Sequence, residues 1–298
     1  MLSLETMEKV IAGAMEFAEG SCSFVFQGGE PTLAGLDFYR SVVALTRKYA
    51  KKNVAVSYAI QTNAFRLDEA WCSFFREHNF LVGVSLDGPA DLHNLNRKDT
   101  SGRNTFNRVM RSIELLRQFK VEFNILCVLT GKNARSIERI YRFFRQQGFS
   151  HIQFIPCIEP LDQQRGDKKY HLSVKEYGDF LVRVFDLWYH DLLDGHYTSV
   201  RHLDNWLQIL LGGHPESCGM RGCCSIQFVV EGDGGVYRAV LEMSLWLKIK
   251  CINLLRPTIP IQILPGLSMT TGMRRLFGRR AQLSNPGLEN LPRMIHLS

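Results

Sequence analysis

The run SCSFVFQGGEP, residues 21–31, decides the fold class of this chain. Its first six residues carry no charge, and three of them are aromatic or β-branched. A short apolar run of this kind, bounded by turn residues, is typical of a buried parallel strand. The two glycines, the acid and the proline that follow it predict a tight turn into the next element.

The same pattern recurs along the chain. Further strands are predicted at 54–61, 80–86, 121–130 and 151–156. Amphipathic helices are predicted at 4–19, 35–51, 66–78, 104–119, 134–147, 173–194 and 198–211. Strands that alternate with helices in this way predict an α/β fold with a parallel sheet, of either the barrel or the open type.

The composition divides the chain into four segments: a strand–helix unit at 1–160, a helical continuation at 161–217, a cysteine-bearing region at 218–237 and an irregular basic tail at 238–298. Residues 239–298 hold five of the ten prolines, and eight Lys and Arg against two Glu. The net charge of +7 therefore comes almost entirely from the tail. Because its apolar runs are interrupted by proline, the tail offers no folded basic face, and no nucleic-acid partner is predicted.

The N-terminal run MLSLETMEKVIAGAMEF has neither a basic segment nor an apolar core typical of a secretion signal. No run of about 18 uncharged apolar residues occurs, so no membrane span is predicted. We therefore expect a cytoplasmic protein, in which the eight cysteines serve as metal ligands or free thiols rather than disulfides.

Each predicted strand except the fourth ends in an unusual polar group. These groups are QGGEP (27–31), QTN (61–63), SLDG (85–88) with NRKD (96–99), and IPCIEP (155–160). Functional groups of parallel α/β folds collect after the carboxyl ends of the strands. We therefore expect the four groups to meet at one rim of the sheet.

The groups after strands one and three supply candidate ligand-binding residues. Gly28 and Gly29 permit close approach of the backbone to a ligand, and Glu30 can hold an ammonium group; the same residues also suit an ordinary turn. Ser85 can bond a ligand hydroxyl or carboxylate, or simply belong to a turn. Arg97 can pair with a carboxylate through its bidentate fork, or be a solvated arginine.

Gln61 and Asn63 are candidates for polar groups at the mouth of the fold, although strand-end residues are often polar without a function. Cys218 and Cys224 are the metal-ligand candidates, since thiolates bind iron–sulfur clusters and zinc. Two thiolates cannot complete a site with four thiolate ligands, so this pair would need further ligands. Four scattered cysteines lie in apolar stretches and are predicted to be buried free thiols: Cys22, Cys72, Cys127 and Cys157.

The motifs FQGGEPTLAGLDFYR, AIQTN, VGVSLDGP, HNLNRKDT, TFNRVMRSIELL, QFIPCIEP and CGMRGCCSIQFVVEGDG, taken in order, resemble the anaerobic sulfatase-maturating enzymes. These are radical S-adenosylmethionine (SAM) proteins with a C-terminal domain of the SPASM type. The resemblance, over residues 1–237, implies a partial (β/α)6 barrel at 1–160 and a remnant SPASM region at 218–237. It also implies an oxidation of Ser or Cys in a sulfatase peptide to formylglycine, with SAM and [4Fe-4S] clusters as cofactors.

The resemblance further implies residue roles. SAM would be contacted by Gly28, Gly29, Glu30, Ser85, Arg97 and, through its backbone, Ile158. The peptide substrate would face Gln61, Thr62 and Asn63. Cys218 and Cys224 would ligate the first auxiliary cluster.

The chain departs from the family at several points. The 298 residues contain no CxxxCxYC, the family's SAM-cluster motif, and Ala64 replaces a family glycine. After Tyr237 the family continues Pro-Cys-Asp, so that its general-base Asp is replaced here by Val240. We therefore expect a chain that lacks its first barrel strand, diverges after residue 237 through a frame change, and is catalytically incompetent.

Two alternatives remain open from the sequence. One is a non-enzymatic remnant that binds SAM or a peptide. The other is a different barrel enzyme, which would need paired carboxylates, and Glu30 with Asp87 is the pair available.

Overall fold

The structure, a computed structural model, describes residues 3–157, 170–217, 220, 227–232 and 234–238. Six strands of this part form one parallel sheet whose spatial order equals the chain order. They are β1 Ser21–Phe26, β2 Ala55–Thr62, β3 Phe80–Ser85, β4 Phe123–Leu129, β5 His151–Pro156 and β6 Ser199–Val200. The predicted α/β fold with a parallel sheet is confirmed, and the five predicted strands are all present.

Helices connect the strands. They are α1 Leu4–Phe17, α2 Leu36–Tyr49, α3 Glu69–Glu77, α4 Ala90–Asn96, α5 Phe106–Gln118, α6 Gly131–Arg135, α7 Ile137–Gln146, α8 Val174–Leu193 and α9 Arg201–Leu210. A 3₁₀ turn, Pro31–Ala34, follows β1. Among the described residues, no helix is both long and apolar enough to cross a membrane.

The sheet and the helices enclose a large apolar core, and a second, smaller cluster packs α1 against α2 and the edge of the sheet. Strand β3 lies in the middle of the sheet, and five of its six residues are buried. Phe80 at its start stacks on Tyr58 of β2 with ring centroids 4.9 Å apart. Because neighbouring strands run in the same direction and are laterally aligned, the core fixes all their carboxyl ends at one edge.

The sequence prediction was wrong at residues 198–200, which it placed in a helix. Ser199 and Val200 form β6 and pair with His151 and Ile152 of β5. Val200 has an extended backbone, with φ −109° and ψ 105°, so helix α9 begins only at Arg201. The prediction also missed α4 and α6, which are seven and five residues long and too short to show a helical period.

A separate antiparallel hairpin consists of β7, Phe228–Val230, and β8, Val236–Arg238. Arg238 therefore ends a strand, which corrects the predicted start of the irregular tail at 238. The rest of that tail, 239–298, lies outside the described residues, as do Ile158, Cys218, Cys224 and Val240.

Candidate functional site

The carboxyl ends of β1, β2 and β3 border a cavity of about 420 Å³. It is lined by Gln27, Gly28, Gly29, Glu30, Gln61, Thr62, Asn63, Ser85 and Arg97. Eight of these nine residues are sequence-predicted site residues. The fourth group of the rim, IPCIEP, begins at the end of β5 and is described only as far as Cys157.

Glu30 ties the end of β1 to the end of β2. Its Oε1 accepts hydrogen bonds from the Thr62 hydroxyl at 2.6 Å and from the backbone N–H and hydroxyl of Thr32 at 3.1 and 2.6 Å. Its Oε2 accepts one hydrogen bond, from the Asn63 N–H at 2.8 Å. A carboxylate has about four acceptor positions, so Oε2 keeps a lone pair for a ligand. No sequence pattern predicts that Glu30 binds Thr62 and Asn63, which are more than 30 residues away.

The backbone next to Glu30 is open to the cavity. Gly28 and Gly29 have φ values of +92° and +54°, a region that disfavours L side chains. A Cβ atom added at either position would meet no atom within 4 Å. The two glycines are therefore required by the backbone conformation and leave space in which a ligand can contact their peptide groups.

The turn after β2 has a strained residue. Ala64, which stands where the resembling family has glycine, has φ +56°. Its N–H donates to the Thr62 hydroxyl at 3.0 Å, and its carbonyl accepts from the Ser112 hydroxyl at 2.6 Å. These two bonds hold the residue in a conformation that costs an alanine about 1 kcal/mol or more.

Arg97 at the end of α4 is paired with Asp87 after β3. The Nε and Nη2 of Arg97 donate to the two carboxylate oxygens of Asp87 at 2.6 and 3.1 Å. The Val128 N–H of β4 donates to the same carboxylate at 2.9 Å. This side-on pairing leaves the other edge of the guanidinium, with Nη1 and one hydrogen of Nη2, without a partner in the described part of the chain.

These bonds bear on the alternative of a carboxylate-pair barrel enzyme. Both oxygens of Asp87 are engaged, and the carboxylate is buried, with a side chain only 4% exposed. Glu30 is held by backbone and hydroxyl donors. Neither acid offers the free carboxyl group that such chemistry needs, so the structure does not favour that alternative.

Two further side chains at the cavity have unused hydrogen-bonding capacity. Ser85 is 8% exposed, and no hydrogen bond involves its hydroxyl within the described residues. The amide of Gln61 is likewise without a partner there. In the described part of the chain, the cavity lining keeps an unpaired hydroxyl, an unpaired amide, one guanidinium edge and one carboxylate lone pair, a combination suited to a zwitterionic polar ligand.

A buried histidine behind Arg97 escaped the sequence analysis. His93 of α4 is 0% exposed. Its Nδ1 accepts from the Asp87 N–H at 3.3 Å, and its Nε2 lies 3.1 Å from the Thr105 hydroxyl. Burial lowers the pKa of His93 to about 4, so the imidazole is neutral at pH 7. The sequence feature that could have identified His93 is its position in the HNLNR run, six residues after Asp87 and four before Arg97.

The described cysteines do not form a metal site. No group of three or more His, Cys, Asp or Glu side chains suited to a metal occurs in the part of the chain that the structure describes. Cys72 and Cys127 are buried free thiols, as predicted, whereas Cys22 and Cys157 are half-buried. Burial raises the pKa of Cys72 to about 11, which disfavours the thiolate that a metal needs.

The family model for the radical SAM superfamily matches residues 2–144. The chain belongs to the radical SAM superfamily. All nine residues that line the cavity fall between positions 27 and 97, and therefore lie within the matched region.

This radical SAM chain is similar to anaerobic sulfatase-maturating enzymes. It is 46% identical over 237 residues to the cysteine-type enzyme of Clostridium novyi, covering 80% of this chain and 63% of that enzyme. It is 36% identical over 227 residues to the serine-type enzyme of Klebsiella aerogenes, covering 76% of this chain and 54% of that enzyme. The chain thus spans less than two thirds of these curated relatives.

A solved structure, native anSMEcpe with bound AdoMet and the Cp18Cys peptide, superimposes with a TM-score of 0.78 at 46% identity. The match covers 80% of this chain and 67% of that one. The radical SAM fold predicted from the motifs is therefore confirmed.

Replacing Glu30 by Gln is expected to destabilise the chain by about 1–3 kcal/mol. The amide NH₂ of Gln cannot accept a hydrogen bond, and it would face either the Asn63 N–H or the threonine donors that the carboxylate now binds. The measurement is urea unfolding followed by circular dichroism. The matched control is Glu5→Gln, since Glu5 pairs with Lys9 on the surface with a side chain 79% exposed. The control is expected to change stability by about 0.5 kcal/mol or less. Equal effects of the two substitutions would contradict the bridging role of Glu30.

The buried His93 predicts a pH dependence of stability. Between pH 6.5, the usual histidine pKa, and about pH 4, the unfolded chain binds a proton that the folded chain does not. The contribution of His93 to the free energy of unfolding is therefore largest above pH 6.5. It falls by up to about 3 kcal/mol as the pH is lowered through this window.

The control for this prediction is His93→Phe, which shares every carboxylate titration with the unmodified chain. The stability difference between the two proteins, measured by urea unfolding at several pH values, is expected to shrink as the pH falls from 6.5 to 4. A difference that stays constant over this range would show that His93 is not buried in the neutral form.

Proposed function

We propose that this chain is the SAM-binding barrel of an anaerobic sulfatase maturase, which oxidises a Ser or Cys side chain of a sulfatase peptide to formylglycine. One observation carries the proposal. Five of the six residues that the motifs assign to SAM, and all three assigned to the peptide, border one cavity at the carboxyl edge of the sheet.

The charges of the cavity match the methionyl end of SAM. The free lone pair of Glu30 Oε2 would accept from its ammonium group, next to the open peptide groups of Gly28 and Gly29. The unpartnered edge of the Arg97 guanidinium suits its carboxylate, because this edge presents two parallel N–H donors. The Ser85 hydroxyl would complete the set on the carboxylate and ribose side.

The size of the cavity also supports a ligand of this class. Its volume of about 420 Å³ lies within the usual range of small-molecule sites, roughly 300–1,000 Å³. In this family the hydrogen abstraction is supplied by SAM bound at a [4Fe-4S] cluster. The described cysteines do not fit such a cluster, so we assign no step of the chemistry to them.

The peptide would enter beside the QTN group. Asn63 is exposed, and its Oδ1 accepts from the Phe65 N–H at 2.9 Å, so the side chain is fixed at the mouth. Thr62 is 2% exposed and contacts Glu30, so it supports the site from behind. Gln61, with its free amide, is the residue best able to bond a peptide group.

A second candidate function is binding of SAM or a peptide without chemistry. The observation that favours it is the cysteine pattern: the eight cysteines of the 298 residues include no CxxxCxYC. Family chemistry requires three thiolates in one group to hold the SAM cluster.

The proposal predicts that the 298-residue chain binds SAM in isothermal titration calorimetry. Ser85→Ala is expected to weaken binding about fivefold, the equivalent of one hydrogen bond of about 1 kcal/mol. The matched control is Ser41→Ala on α2, where the hydroxyl bonds only the Asp37 carbonyl on the surface. It is expected to leave the affinity unchanged. Absence of SAM binding by the unmodified chain would overturn the proposed function.

The second candidate predicts that the same polypeptide does not cleave SAM. After anaerobic reconstitution with iron and sulfide, and addition of dithionite and SAM, no 5′-deoxyadenosine above background is expected by chromatography. A sulfatase maturase reconstituted in parallel provides the positive control. Turnover above background would show that other cysteines hold a competent cluster, and the candidate without chemistry would be rejected.

A further inference from the structure

The directions of the hydrogen bonds around the buried His93 fix the tautomer of its imidazole. A backbone N–H can only donate, so the Asp87 N–H requires an unprotonated Nδ1 on His93. The proton of the neutral ring is then on Nε2 and donates to the Thr105 hydroxyl oxygen. The Thr105 hydroxyl in turn donates to the Arg97 carbonyl at 3.0 Å. Every donor in this relay therefore has an acceptor.

The relay holds the Arg97 backbone from two sides. The Arg97 N–H donates to the His93 carbonyl at 3.1 Å, while the Arg97 carbonyl accepts from Thr105. Thr105 is itself fixed, because its N–H donates to Asn94 Oδ1 at 3.2 Å. Arg97 is the first residue after α4, with an extended backbone of φ −108° and ψ 99°. Without these bonds the helix end would be free to fray.

The same relay also reaches the partner of the arginine. His93 accepts from the N–H of Asp87, the residue whose carboxylate binds the Arg97 guanidinium. One imidazole thus links the backbones on both sides of a buried ion pair. Such a pair tolerates little displacement, because its attraction offsets the desolvation of two charges only when the geometry is maintained.

We propose that His93 is a positioning residue for Arg97: through Asp87 and Thr105 its imidazole fixes the guanidinium so that the unpartnered edge faces the ligand in the cavity. The inference rests on the proposed SAM site and adds to it a residue that does not line the cavity. The His93 side chain is completely buried, and its backbone N–H donates to the Pro89 carbonyl at 2.9 Å, so the residue is held in place.

The test is a double-mutant cycle on SAM affinity. Thr105→Val removes the hydroxyl of the relay at nearly constant volume, and His93→Phe removes both ring nitrogens. Each is expected to raise the Kd for SAM by about 5- to 30-fold in the unmodified chain. In an Arg97→Ala background each is expected to change the Kd less than twofold, because the group they position is absent. Equal fold-changes in both backgrounds would overturn the inference.

A matched control is Thr46→Val. Thr46 is also buried, and its hydroxyl bonds the Val42 and Val43 carbonyls in α2 and the Tyr58 hydroxyl of β2, none of which lines the cavity. It is expected to leave the SAM affinity unchanged. If it weakens SAM binding as much as Thr105→Val does, a general loss of packing explains the effect and the inference fails.

A second measurement does not depend on SAM. The Arg97 Nε–H, bonded to a buried carboxylate, should give a slowly exchanging signal in ¹⁵N nuclear magnetic resonance, assigned by its loss in Arg97→Lys. Thr105→Val is expected to accelerate its exchange by about tenfold or more. Unchanged exchange would refute the positioning role. If the chain binds no SAM but this exchange is accelerated, the proposed function fails while the positioning of Arg97 stands.

Discussion

The buried carboxylate of Asp87 is the constraint on which the geometry of the site depends. It is fixed by two donors of Arg97 and by the backbone N–H of Val128. A buried carboxylate without these partners would cost several kcal/mol, so the end of β3, the end of α4 and strand β4 must keep their relative positions. Within the described residues, one edge of the Arg97 guanidinium has no partner, and under the proposed function this edge would bind the carboxylate of the ligand.

Glu30 likewise connects two strand ends, those of β1 and β2, on the other side of the cavity. The parallel register pairs Phe26 with Ile60, so the groups that follow β1 and β2 come out side by side. Glu30 then binds Thr62 and Asn63 directly. The cavity is thus bounded by an acid and a base, each of which is used partly for structure and partly available to a ligand. The family relationship and the charge pattern support the same class of ligand, an amino acid derivative with both charges.

The sequence predicted the five long strands because their apolar runs are bounded by glycine, proline and polar residues. It did not predict β6, which has two residues and depends on pairing with β5. Its motifs selected Gly28, Gly29, Glu30, Ser85 and Arg97, which the structure brings to one cavity; their role in binding SAM stays a prediction. It did not predict the pairing of Arg97 with Asp87, since a hydrogen bond between two loop residues leaves no periodic trace in the sequence.

The central claim is that SAM binds between the ends of β1, β2 and β3. Amide hydrogen exchange of the chain, with and without saturating SAM, tests it most directly. The prediction is slower exchange in SAM at residues 28–30, 62–64 and 85–87, with no change at 148–151 on the opposite edge of the sheet. Protection confined to 148–151, or none at the three strand ends, would contradict the claim.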